Sequence, residues 1–456
     1  MSGNVYKGMA LVLWLSLAAC QILPTTRTTP PTGAKPSLSS SPVSEITQSS
    51  HVAPSPQMPG PISAPLLNSL TDTELESLKK SQLLNGYNHL AFELLHILSK
   101  DLAKDQNLLF SPLSIASLLT VLYLGSSGET RLALGKVLQI EGLSNEEVSQ
   151  AYALLKRSLQ SETEFETGIF HSIWIQKGQA FKPEFMSQVS EVYNAQFETG
   201  PMDSETENRI NTWIREKTHN QINTIIPQNT LQSNSQFILL NTLYLRANWL
   251  YTFSHSLTYH DTFTTALGEQ KKALFLHKNP QKEPFDEGKE IYFSEQLEIK
   301  AVNERLRQLN LIIALPQAKS ALEWAKTLTY GEWYSLNTAI RKGSLIEEIA
   351  LPRWHQEQTH DLTKLMVPLG LGKILTSPDF SPLMPTFKKP DQMLHKAKVS
   401  LNEQGIDGPL VSSGQSLGGE ITPRIRFVAD RPFFYSISSN TNAILYMGIV
   451  NDPSLP

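Results

Sequence analysis

The chain has 456 residues, 18% of them charged, and a net charge of −4, which gives no support for a polyanionic partner such as a nucleic acid. With 40% hydrophobic residues, the chain can bury a large core. Its one cysteine, Cys20, excludes any disulfide within the chain.

The amino terminus has the layout of a signal peptide. Lys7 precedes an apolar run from Met9 to Leu17, which is too short to span a membrane by itself. The run ends in LAAC, which resembles a bacterial lipobox; the resemblance implies that residues 1–20 form the signal, with Cys20 as a lipidated mature terminus. An ordinary cleaved signal with an incidental cysteine is the alternative. The lipobox predicts a protein anchored to the bacterial cell envelope, on its outer surface or its periplasmic side.

A polar segment follows the signal. Residues from Leu23 to Ala64 are almost all Pro, Ser, Thr, Gln and Gly, a composition that cannot bury enough surface to offset the entropy of ordering. Residues 21–70 are therefore predicted to be a disordered tether, and residues 71–456 to form one domain.

The domain begins with helical patterns and continues with strands. Asn85 to Leu102 has apolar residues at helical spacing, and Ser111-Pro112 begins a second helix, with Ser111 as a possible cap. Thr206 to Pro227 is predicted to be a helix followed by a turn. The predicted strands are Gly168–Gln176, Phe237–Asn248 and Asn310–Pro316.

Near the carboxyl end, a strand pattern gives way to a loop. Ala397, Val399 and Leu401 alternate with polar residues, which is typical of a half-buried strand. From Gly405 to Gly419 the chain has five glycines, three serines, one proline and no aromatic residue, which indicates an exposed loop. A second β pattern, Phe433 to Val450, ends the domain.

Motifs for catalysis are weak. Residues 414–418 fit G-x-S-x-G, but Ser416 is not followed by the helix that a nucleophile elbow requires. No H-E-x-x-H, P-loop or clustered Cys/His set is present, and His355 and His360 are predicted to be a solvated surface pair. We therefore expect no enzyme activity, no metal and no cofactor.

Four stretches together resemble the serpin family of serine-protease inhibitors, over roughly residues 75 to 454. They are NLLFSPLSIASLLTVLYLGSSGET, NRINTWIREKTHNQINTIIP, LLNTLYLRANWLYTF, and FVADRPFFYSI followed by TNAILYMGIVNDP. The resemblance implies an α+β serpin fold, with three β-sheets, about eight or nine helices and an exposed reactive-centre loop.

The resemblance also assigns roles to individual residues. It implies a polar "shutter" beneath the main sheet, a "breach" tryptophan where the loop would enter that sheet, and a hinge at the start of the loop. The shutter residues are Ser111, Ser114, Asn241 and His395; the breach residue is Trp249; the hinge residues are Glu403, Gly405, Ile406, Gly408 and Pro409. Counting along the family pattern places the bond cut by a protease among Leu417, Gly418, Gly419 and Glu420.

The function that the resemblance implies is suicide inhibition of secreted serine proteases, in which the cleaved loop inserts into the sheet and traps the acyl-enzyme. The partners would be a serine protease and, through the lipid, a membrane; the protein is expected to be a monomer. The hinge departs from the family pattern, since Gly405 is followed by Ile406-Asp407-Gly408-Pro409 rather than by Thr or Ser, an acidic residue and alanines. A serpin-fold binding or structural protein that never inserts its loop is therefore the alternative.

Overall fold

The computed structural model of the chain describes residues 70–160, 165–278, 292–294, 299–306, 308–340, 344–345, 348–385, 389–407 and 426–455. Within these ranges the chain forms ten α-helices and three β-sheets, which confirms the predicted α+β class and the number of sheets. The helices exceed the expected eight or nine because two of the ten, with five and four residues, are single turns that no periodic pattern reveals.

The helices begin where capping residues predict. Ser111 accepts a hydrogen bond from the Ser114 amide, and Pro112 occupies the first helical position, where a missing N–H leaves no hydrogen bond unmade. The helices are α1 (Asp72–Lys79), α2 (Gln82–Lys100), α3 (Pro112–Leu124), α4 (Gly128–Leu138), α5 (Asn145–Ser158), α6 (Pro183–Tyr193), α7 (Ser204–Lys217), α8 (Ala321–Ala325), α9 (Tyr330–Ile340) and α10 (Thr363–Met366).

The strands form sheets of six, seven and four strands. They are β1 (Leu108–Phe110), β2 (Phe165–Gln176), β3 (Ala195–Gly200), β4 (Phe237–Asn248), β5 (Thr258–Thr264), β6 (Gln270–Lys278), β7 (Tyr292–Ser294), β8 (Ile299–Leu306), β9 (Leu309–Pro316), β10 (Ser344–Leu345), β11 (Glu348–Pro352), β12 (Trp354–Asp361), β13 (Gln392–Asn402), β14 (Gly405–Ile406), β15 (Arg426–Val428), β16 (Phe433–Ser439) and β17 (Ile444–Val450). The six-stranded sheet, in the order β12-β13-β14-β4-β2-β3, is called the central sheet below.

The other two sheets have the orders β1-β17-β16-β9-β8-β7-β10 and β15-β11-β6-β5. In the four-stranded sheet, β15 lies parallel to β11, and it begins at the first described residue after the glycine-rich loop. The two ends of the loop therefore belong to different sheets.

The central sheet is covered on both faces, which explains why β4 is an almost unbroken apolar run. Its even-numbered residues Ile238 and Leu240 pack in a small core with α7 and the segment that follows it. Its odd-numbered residues, such as Leu239 and Leu243, belong to the main core, which includes α3. Odd-numbered polar residues of β4 therefore lie on the α3 side of the sheet.

No helix among the residues described is long and apolar enough to cross a membrane.

Candidate functional site

The candidate site is the seam between β4 and β13, defined here as the boundary between these two neighbouring strands. At one end of the seam the strands pair directly and in parallel, from Gln392 opposite Ile238 to Lys396 opposite Thr242. At the other end they are separated by β14, which pairs antiparallel with both of them. The seam is thus closed at one end and already opened at the other.

The two residues in the opened end are the predicted hinge residues Gly405 and Ile406. Ile406 lies between Leu401 of β13 and Ala247 of β4, and its side chain is buried. Gly405 has φ +141°, and a Cβ at this position would lie 2.0 Å from the carbonyl oxygen of Ala247, so only glycine fits. The sequence pattern alone gave no sign that these residues are already within the sheet.

Four predicted shutter residues meet beneath the closed end of the seam. Asn241 of β4 donates through Nδ2 to the carbonyl oxygen of Ser114 (2.9 Å), and the Ser114 hydroxyl donates back to Asn241 Oδ1 (2.8 Å). The backbone amide of Ser111 donates to Nε2 of His395 (3.0 Å). His395 Nδ1 lies 2.7 Å from Asn241 Oδ1, so β4 and β13 are joined across the seam by a side-chain contact.

These contacts fix the tautomer of His395. A backbone amide only donates, so Nε2 must be the unprotonated acceptor, and the proton lies on Nδ1, where it is donated to Asn241. Burial, together with the neighbouring rings of His360 and His171, holds the pKa of His395 well below its ordinary value. The ring is therefore neutral, and drawing β4 away from β13 breaks its bond to Asn241.

Two further histidines, which no sequence motif indicated, belong to this cluster. His171 of β2 and His360 of β12 pair with Asn241 and His395 respectively, so the row His360, His395, Asn241, His171 crosses four adjacent strands. His360 was predicted to be solvated with His355, which is wrong: its Nε2 lies 2.7 Å from the carbonyl oxygen of Leu109, and its ring stacks against His395. His355 is exposed, as expected.

His171 extends the network towards the helices. Asn241 Nδ2 donates to its Nδ1 (3.0 Å), so the proton of the neutral ring lies on Nε2, 2.8 Å from the hydroxyl of Ser117. Ser117 donates onward to the hydroxyl of Tyr152 (2.7 Å). Burial lowers the pKa of His171 to about 3. A continuous hydrogen-bonded chain therefore runs from the seam into α3 and α5.

Trp249, the predicted breach residue, lies beside the opened end of the seam. Its ring is almost fully buried, and its Nε1 donates to the carbonyl oxygen of Asn402 (2.8 Å), while its amide donates to Gln404 (2.8 Å). Its ring also meets Phe253 edge-on, at 5.3 Å between centroids. Trp249 therefore holds the turn that connects β13 to β14.

Glu403 lies in the same turn with its side chain fully buried. Burial raises the pKa of this carboxyl group, but the hydrogen bond from Arg353 and the bonds from its other neighbours outweigh that effect and leave the pKa below its ordinary value. The ring of His255 lies 3.4 Å from the same carboxylate. The hinge is thus anchored on one side by the ion pair of the buried Glu403 carboxylate with the half-buried Arg353, and on the other side by Trp249.

A segment after α7 lies across the seam. Lys398 and Lys396 of β13 donate to the carbonyl oxygens of Gln221 (2.7 Å) and Thr224 (2.5 Å). Ile222, Ile225 and Ile226 of this segment are buried against the sheet. A strand that extends further along the seam has to pass beneath this segment.

The remaining predicted site residues lie outside the described ranges: Cys20, Gly408, Pro409, Leu417, Gly418, Gly419 and Glu420. In the part of the chain that is described, no three His, Cys, Asp or Glu residues are grouped so that they could hold a metal ion.

The profile of the family named "Serpin (serine protease inhibitor)" matches residues 85–453. The chain belongs to the serpin family. Among its serpin relatives, Serpin B6 of Pongo abelii is 27% identical over 372 residues, which cover 80% of this chain and 97% of that protein. Leukocyte elastase inhibitor of Bos taurus is 24% identical over 365 residues, covering 76% and 93%.

Solved serpin structures have the same fold. The crystal structure of human glycosylated kallistatin superposes with a TM-score of 0.72 at 21% identity, and the match covers 83% of this chain and 99% of that one. At this level of identity the likeness establishes the serpin fold and leaves the function to be argued from the site.

Proposed function

We propose that this serpin is a suicide inhibitor of secreted serine proteases, and that a lipid on Cys20 holds it at the bacterial cell envelope. A protease would cut the loop between Leu417 and Glu420, and the freed chain from Asp407 to Ser416 would extend β14 along the seam. The acyl-linked protease would be carried with it and distorted. In this mechanism the serpin traps the protease and catalyses nothing itself.

The observation that carries the proposal is that β14 already separates one end of β4 from β13. Insertion then needs no new opening of the sheet at its start, because Gly405 and Ile406 already pair with both strands. What remains is to part the strands further along, where the His395–Asn241 contact lies. Relatives described as protease inhibitors further support the proposal.

A second candidate is a serpin-fold binding or structural protein. The observation in its favour is the hinge sequence, in which Pro409 cannot donate to a strand ladder. Leaving one buried acceptor unpaired costs about 1–3 kcal/mol, which is less than roughly ten newly paired residues are expected to gain, so we expect Pro409 to slow insertion without preventing it.

A gel distinguishes the two candidates. The serpin is mixed with a panel of secreted serine proteases, and the products are boiled in SDS. An inhibitor gives a band at the summed mass of protease and serpin, because the acyl bond survives denaturation. If every protease that cuts the loop yields only cleaved serpin, the binding-protein candidate replaces the inhibitor.

A further inference from the structure

The hinge carries a carboxylate whose surroundings are unusual for a charged group. Asp407 directly follows β14, and its amide donates to the carbonyl oxygen of Ser400 on β13 (2.8 Å). Its φ of +48° lies in the left-handed region, which Asp tolerates better than most residues. Docking of Gly405 and Ile406 in the seam therefore draws Asp407 partly into the sheet.

The two cations that favour the ionised form of Asp407, Lys398 and Arg246, make their hydrogen bonds to backbone oxygens and not to its carboxylate. Lys398 donates to the carbonyl oxygen of Gln221 (2.7 Å). Arg246 donates from Nε to the backbone oxygen of Asp407 (3.2 Å), and its Nη1 lies 3.8 Å from Glu166. No hydrogen bond from a described residue reaches the carboxylate of Asp407.

The other ionisable groups around Asp407 do not offset the missing hydrogen bond to its carboxylate. Glu357 of β12 adds a like charge, and burial together with the charge of Asp407 raises the pKa values of Tyr244 on β4 and Tyr446 on β17, so neither phenol supplies a compensating positive charge. Burial raises the pKa of Asp407 to about 6, although Lys398 and Arg246 act in the opposite direction.

We propose that Asp407 is a proton-dependent catch on the hinge, which docks between β4 and β13 when its carboxyl group is neutral and is released when that group is ionised. The ionised group loses part of its hydration on docking and gains no hydrogen bond from the described residues, whereas the neutral group loses little. The hinge is the beginning of the strand that insertion would extend. Protonation of Asp407 therefore sets the fraction of intact molecules in which this first part of the strand is docked before any cut. The catch does not depend on trapping a protease, since it acts in the intact chain.

The direction of the pH effect follows from the linkage between proton binding by Asp407 and docking of the hinge. A carboxyl group with a raised pKa in the docked state opposes docking above pH 6, and this opposition disappears as the pH falls towards its ordinary value of 3.8. The difference between these two values corresponds to a change of roughly a hundredfold in the ratio of docked to released hinge between pH 7.5 and 4. The window lies between about pH 6 and pH 4.

Hydrogen exchange of the Asp407 amide in the intact protein tests the catch, because its bond to Ser400 exists only when the hinge is docked. Protection factors, corrected for the intrinsic rate at each pH, are compared at pH 7.5 and pH 4.5. In the wild type, protection should rise by roughly 10- to 100-fold on acidification. In Asp407→Asn, which keeps the shape and the left-handed backbone without a charge, it should not change.

Two further variants complete the experiment. Asp105→Asn, at an exposed position outside the seam, should behave as the wild type does. Lys398→Met removes a cation that favours the ionised form, so the midpoint of the change should move to higher pH. The difference between wild type and Asp407→Asn cancels any pH effect from elsewhere, including that of His171 and His395. Equal changes in these two proteins, or protection that falls on acidification in the wild type alone, would overturn the proposal.

Discussion

Replacing His395 by Ala should lower the stability of the intact protein more than that of the cleaved protein. In the intact protein the ring accepts from the Ser111 amide and donates to Asn241. After the replacement, Asn241 Oδ1 keeps its bond from the Ser114 hydroxyl, whereas the buried Ser111 amide loses its acceptor. One orphaned buried donor costs about 1–3 kcal/mol, and the empty volume of the ring adds to that.

This cost converts into a measurable shift in melting temperature. One kcal/mol lowers Tm by about 2–4 °C in domains of 150–250 residues and by about 1–2 °C in one of this length, so we expect a fall of about 1–6 °C for intact His395→Ala. In the cleaved protein a new strand would lie between Asn241 and His395, so their bond is already lost. The replacement then removes only the contact with the Ser111 amide, and the fall should be smaller than in the intact protein. Differential scanning fluorimetry of both forms measures both effects.

The matched control is His355→Ala, because His355 lies on β12 next to β13 but is exposed. It should leave both melting temperatures within about 1 °C of the wild type. Equal falls in the intact and cleaved forms of His395→Ala would refute the reasoning, since His395 would then stabilise the core in the same way in both states.

Three other predictions concern the anchor, the loop and acid stability. Cys20→Ala should move the protein from the membrane pellet to the supernatant of a detergent-free fractionation, since a diacylglyceryl anchor would be lost; retention in the pellet would disprove lipidation at Cys20. Pro409→Ala should restore a ladder donor and raise the fraction of protease trapped rather than released on quantitative SDS gels, and unchanged partitioning would show that Pro409 does not limit insertion. Because burial lowers the pKa of His171 from 6.5 to about 3, the unfolded chain binds an additional proton below pH 6.5, and stability should fall with decreasing pH down to about pH 3. His171→Gln should reduce that slope by about 1.4 kcal/mol per pH unit in urea titrations between pH 6 and pH 4, whereas an unchanged slope would mean that His171 is charged in the fold.

The sequence predicted the elements better than it predicted their contacts. Phe237–Asn248 is a strand with the predicted bounds, and the helix expected over Asn85–Leu102 runs from Gln82 to Lys100. In both segments the apolar pattern is long, and local propensity and burial favour the same structure.

The row of histidines shows that burial can be predicted from the sequence where the contact between strands cannot. Period two places His171 on the same face as Ile173 and Ile175, so its burial could have been inferred. Its position opposite Asn241 depends on the register between strands 70 residues apart, which no local pattern specifies.

His360 was misjudged for a similar reason. It lies on a strand of mostly polar residues, and its partner is the carbonyl oxygen of Leu109, 251 residues away in the sequence. The docking of Gly405 and Ile406 was equally hidden, because two residues form too short a strand to have a pattern.

Thermal melting of the intact and the loop-cleaved protein tests insertion into the seam most directly. A protease that cuts between Leu417 and Glu420 should allow residues from Asp407 to Ser416 to join β14, adding about ten residues of ladder to the central sheet. Such a gain is large against the 5–15 kcal/mol of net stability that is usual for folded proteins, so cleaved protein should melt tens of degrees above intact protein. If cleaved protein melts where intact protein does, the loop does not insert, and the seam is not the site at which this serpin acts.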